Sequence, residues 1–167
     1  MPISELLLTE LDSEIKITRT MLERVPFNKT GFTPHAKSMP LDSLAPHVAE
    51  LLGFGLTVLT TPELDFGAGP PRTRPPFEKN GLMKFFDEGA AKTRAALKAT
   101  PDSAWTEPWK LSFQGKTIFA GQRFLAYRQM FLNHLVHHRA QLGGYLRLND
   151  VPLPSTYGPS ADDRMGF

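Results

Sequence analysis

One side of an α-helix can be traced through Phe124, Tyr127, Phe131, His134, His138 and Tyr145, at alternating gaps of three and four, with Leu142 serving where Gln141 breaks the series. That spacing follows a turn of about 3.6 residues and not the alternation of a strand. A helix from about Gly121 to Leu148 therefore has a long stripe to bury, and the rest of the chain must supply the surfaces that cover it.

Three further segments carry the same period. From Ser4 to Val25, Leu7, Leu11, Ile15, Thr18, Leu22 and Val25 form a stripe among charged residues, stopped by Pro26. A second runs through Leu41, Leu44, His47, Val48, Leu51 and Leu52; Pro46 fits its first turn if the helix starts near Asp42 or Ser43, and otherwise predicts a kink beside His47. A third spans about Gly81 to Thr100, with Leu82, Phe85, Phe86, Thr93, Ala96 and Leu97 on one side and Pro101 at its end. Between the second and third lies Thr61–Asn80, with five prolines, Gly67, Gly69, Arg72, Arg74 and Lys79, which reads as a long loop: an ordinary crossover, or a lid or rim over a site. Short apolar alternation between Trp105 and Phe119 predicts a small hairpin turning at Gly115, and the tail Val151–Asp163 is too rich in turn formers to be helical. The expectation is an all-α fold, a four-helix bundle with a small hairpin between the third and fourth helices, formed by residues 1–167 as one domain.

The 167 residues, 41% hydrophobic, suffice for a single core. Without cysteine there can be no disulfide, thiolate zinc site or cysteine nucleophile, so any metal must be held by nitrogen and oxygen. The scattered charges, net +2, give no support for nucleic-acid binding. No leader-like start is visible and no stretch approaches the roughly 18 apolar residues of a membrane span, so the reading is a soluble cytoplasmic protein with no membrane contact. In that setting the sequon Asn28-Lys-Thr is an accident. Gly115-Lys-Thr lacks the earlier glycine of a phosphate loop, Gly53-Phe-Gly55 and Gly67-Ala-Gly69 lack the context of a dinucleotide fingerprint, and there is no Gly-x-Ser-x-Gly elbow.

Histidine is the informative residue. Helical residues four apart are separated by about 40° around the axis and about 6 Å along it, so His134 and His138 can converge on one ion. The bland alternative is a pair of core histidines hydrogen-bonded to carbonyls or carboxylates. His47, on the apolar face of a different helix, completes a set of three inward imidazoles, which would leave coordination positions open and could acidify a thiol or water or polarise a carbonyl. His137 is the nearest rival, about 100° around the helix from His138, and reads as a flank residue. His35 lies in a turn-rich, exposed segment. Glu50, three residues after His47, is either a base or outer partner of the site or, more ordinarily, a solvated or salt-bridged carboxylate. Arg139 reads as an exposed ion pair or an anion contact, and Tyr127 and Tyr145 as core.

The run His134-Leu-Val-His-His-Arg-Ala-Gln-Leu-Gly-Gly-Tyr-Leu-Arg, with His47 in Leu44-Ala-Pro-His-Val-Ala-Glu-Leu and the closing Tyr157-Gly-Pro-Ser-Ala-Asp-Asp, resembles the DinB family of damage-inducible-like metalloenzymes. The resemblance spans nearly the whole chain. It implies an up-down-down-up connection of the four helices, a homodimer, and a metal triad at His47, His134 and His138 occupied by nickel or zinc. It also implies either a metal-dependent enzyme, acting as a thiol S-transferase or hydrolase on a small molecule with a low-molecular-weight thiol as partner, or a non-catalytic dimeric metal-binding or stress-response protein. A chain that has lost its metal is a third outcome.

Overall fold

The computed structural model describes residues 1–68 and 74–165. Helix α1 spans Ile3–Leu22, α2 Leu41–Thr60 and α3 Lys79–Ala99. The fourth is composite: an α turn Arg123–Leu125, a π segment Ala126–Leu132 and an α segment Asn133–Leu148 follow one another without a break. Helix α2 begins at Leu41, so Pro46 falls beyond the first turn. The helix runs through it unbroken, giving up only the hydrogen bond that a residue 46 amide would make. On the α3 side, Thr93 donates its hydroxyl to the carbonyl of Leu52 at 2.7 Å, a buried tie between the two helices. Trp105, Trp109, Phe86, Tyr127 and Phe131 fill the centre with the leucines of α1, α2 and α3.

The all-α expectation is overturned. The chain also builds a three-stranded mixed sheet, from β1 Glu63–Asp65, β2 Pro108–Phe113 and β3 Lys116–Gln122. The hairpin β2–β3 turns at Gln114 and Gly115, both at positive φ, and β1 adds to β2 in parallel with Leu64 opposite Leu111. The third strand comes from the start of the segment read as a loop. Its short run pairs with β2 through Phe66 N–H to the Ser112 carbonyl, and the Asp65 carboxylate accepts the amides of Gly67, Gln114 and Gly115 at 2.7–2.9 Å. The remainder of that segment, including Arg72, falls partly outside the described residues. Arg123 joins sheet to helices: it donates to the carbonyls of Val58 and Thr61 at the C-terminal end of α2 and to Glu107.

By length and composition α2 can cross a membrane, with mean hydropathy 1.2, contrary to the expectation that no stretch qualifies. Half of that window is buried inside the protein, as a core helix would be.

Arg139 is not exposed. It is 2% accessible and donates to Glu14 and Thr18 of α1 and to the Tyr157 hydroxyl, which in turn donates to Glu14 at 2.7 Å. Glu14 is itself 6% accessible. Glu14→Ala should cost about 3–5 kcal/mol in urea unfolding, because it strands a buried guanidinium, whereas the double variant E14M/R139M should recover most of that loss. Equal destabilisation by the single and double variants would contradict this reading.

Candidate metal centre

Two helices carry the site. His47 lies on α2, and His134 and His138 project from the C-terminal α segment of the composite helix. One ring nitrogen from each lies within 4.8 Å of the other two. The ring of His47 is 4.5 Å from that of His138 and 5.4 Å from that of His134, centroid to centroid.

The close approach depends on Gly55. His47, Leu51 and Gly55 recur every four residues along α2, and a Cβ at Gly55 would sit 2.6 Å from the Phe131 ring. Phe131 belongs to the π segment, which ends two residues before His134. Its i→i+5 hydrogen bonds widen the turn, and the buried series through it becomes Tyr127, Phe131, Leu135 and Arg139, at gaps of four. His134 and His138 are therefore displaced from the core stripe on which the sequence period places them. They lie beside it, half-buried, facing α2 across the seam.

The outer nitrogen of each ring faces an acceptor. His134 Nδ1 is 3.3 Å from the Met130 carbonyl, and His138 Nδ1 is 2.7 Å from Gln141 Oε1. His47 Nδ1 is 3.8 Å from Glu50 Oε2. Carbonyl oxygens can only accept, so Nδ1 of His134 and of His138 each carries the hydrogen, and their Nε2 lone pairs confront each other at 2.8 Å. Two lone pairs at that distance repel, and one metal ion ligated by both nitrogens would relieve them. Such outer hydrogen bonds are the usual support of metal-ligating histidines, and an all-nitrogen set suits a divalent transition metal.

Burial, and then the neighbouring His47, hold His134 below the ordinary imidazole pKa. Burial is also the largest influence on His138, and outweighs the opposing hydrogen bond to Gln141 to push it down to about 4. Both rings are thus neutral at pH 7, the form in which imidazole ligates.

A cavity of about 290 Å³ opens on the centre. His47, His134 and Glu50 form its polar side, and Leu51, Phe54, Phe66, Leu111 and Met130 the rest. The Glu50 side chain is only 12% exposed; it lies 3.5 Å from Arg74 Nε. The solvated reading of Glu50 is thereby set aside, while the salt-bridged one describes its place. Leu111 arrives from the hairpin that the apolar alternation around Trp109 predicted, and Phe66 from the turn directly after β1, a strand that periodicity did not foresee. His137 is exposed and outside the group, its ring 4.8 Å from that of His138. His35 is exposed and distant in chain, its Nδ1 accepting the Lys37 amide.

Two outcomes follow from this geometry. Gly55→Ala should lower stability by about 1–3 kcal/mol through overpacking against Phe131, and should weaken metal uptake with every histidine intact; an unchanged melting temperature and metal affinity would show that the helices have room to spare. For His138, the folded pKa lies below that of the unfolded chain, so the unfolded state takes up the proton first. The stability linked to the neutral ring is present above pH 6.5 and lost as pH falls towards 4. In metal-free protein the ring should titrate by NMR near pH 4, and a midpoint near 6.5 would contradict its burial.

No family model and no curated protein matches the chain. Among solved structures, a crystal structure of a DinB-like protein (YjoA) from Bacillus subtilis superposes with a TM-score of 0.66 at 17% identity, covering 96% of this chain and 99% of that one. An agreement of that extent between such divergent sequences is an agreement of architecture: this chain has the DinB-like fold.

Proposed function

We propose that this chain is a divalent-metal-binding DinB-family protein acting as a metal-dependent enzyme of the thiol S-transferase or hydrolase type, with His47, His134 and His138 as the ligands. The observation that carries the reading is the convergence of three ring nitrogens within 4.8 Å beside a cavity that also contains a carboxylate. Three neutral ligands leave the ion's charge undiminished and leave coordination positions open, as in reactive metal sites. Nickel or zinc is the proposed occupant, and its chemistry there would be to acidify a thiol or water and polarise an electrophile. The chain's own part is to orient His134 and His138 through Met130 and Gln141, to keep water out of an apolar cavity, and to offer Glu50 as the base that receives the nucleophile's proton. A low-molecular-weight thiol is the proposed partner, the cytoplasm the proposed setting and a homodimer the proposed assembly. The competing reading is a dimeric metal-binding or stress-response protein without turnover; an apolar cavity opening directly on the ligands favours the enzyme over a closed storage site.

Elemental analysis of untagged protein should find about one transition-metal ion per chain, lost in His47→Ala and in His134→Ala. Metal content equal in wild type and variants would sink the proposal. Metal-loaded protein supplied with low-molecular-weight thiols and monochlorobimane should then form the thioether faster than either variant, and a rate no faster would leave the metal-binding protein without turnover as the surviving reading.

A further inference from the structure

The cavity beside the histidines has a composition that selects what enters it. Leu51, Phe54, Phe66, Leu111 and Met130 give it an apolar wall, and two of these, Phe54 and Phe66, stack with ring centroids 6.0 Å apart. Beyond that pair lies a second hollow of about 260 Å³, also bordered by Glu50, so the two rings divide the space into compartments. A dry cavity of about 150 Å³ accommodates one benzene ring. At about 290 Å³ the compartment on the histidines takes one substituted ring and is too small for a peptide or nucleotide.

Glu50 adds a second requirement. Its Oε1 is buried and has no hydrogen bond among the described residues; Arg74, at 3.5 Å and largely exposed, contributes charge without a directed bond. The side chain as a whole is 12% exposed where it borders the cavity and is stabilised by a ligand there that brings a donor.

We propose that this compartment binds a small aromatic molecule whose polar group carries both a metal-ligating atom and an N–H or O–H, the ring lying against Phe54 and Phe66 and the donor meeting the Glu50 carboxylate where it borders the cavity. The proposal rests on the metal-site reading above and adds the class of substrate. Aliphatic compounds of the same polar group leave the apolar wall unfilled, and aromatic ones lacking the donor leave Glu50 unsatisfied.

Three hydroxamates separate these contributions, read from the visible spectrum of cobalt-loaded protein, with no turnover required. Benzohydroxamic acid should bind at least about tenfold more tightly than acetohydroxamic acid, since only the former fills the apolar compartment. It should also bind about tenfold more tightly than N-methylbenzohydroxamic acid, which has no N–H for Glu50. Phe66→Ala should shrink the first ratio and leave the second; Glu50→Gln should shrink the second and leave the first. If cobalt binds but the three probes bind equally, or none binds, or both ratios survive both substitutions, the substrate proposal is overturned and the metal centre stands. If the protein takes up no cobalt, both fall.

Discussion

The absence of a side chain at Gly55 sets the distance on which everything else in this molecule depends. Phe131 rests where a Cβ would be, and that contact draws the composite helix against α2. His47 lies two turns before Gly55 on the same face of α2, and His134 lies three residues after Phe131. One packing contact therefore brings together imidazoles from segments far apart in sequence. The core and the metal centre share a single seam, so neither can be repacked alone.

Much of this was legible in the chain. The long helices announced themselves by apolar spacing, and the histidines by their place on it. The missed parts were non-local. Strand β1 is three residues in a proline-rich segment, and it exists because Lys110–Ser112 offers an edge and Asp65 gathers two amides from the opposite turn and one from its own. No window around Leu64 contains that information. Arg139 looked exposed because its partner, Glu14, stands 125 residues away. The π segment escaped because an apolar period reports a helix, while the number of residues in each turn is decided by packing.

Arg139 also bears on the metal centre. It follows His138 directly and points the other way, into a knot with Glu14, Thr18 and Tyr157 that fastens the tail and α1 to the same helical turn. The turn that presents an imidazole on one side is anchored by a buried guanidinium on the other. Its rotation about the helix axis is restrained from both faces, which favours a preorganised ligand set over one assembled as metal arrives.

The sheet has an evolutionary consequence. The sheet and the turn that follows β1 contribute Leu111 and Phe66 to the cavity, yet none of the three site histidines, which stand on helices. Reactivity and selectivity are thus borne on different stretches of backbone, one fixed by helix packing and the other by a hairpin with an added strand. Mutation in the hairpin can redraw the cavity wall while the imidazoles stay in place, so a lineage built this way can change its clientele without reinventing its chemistry.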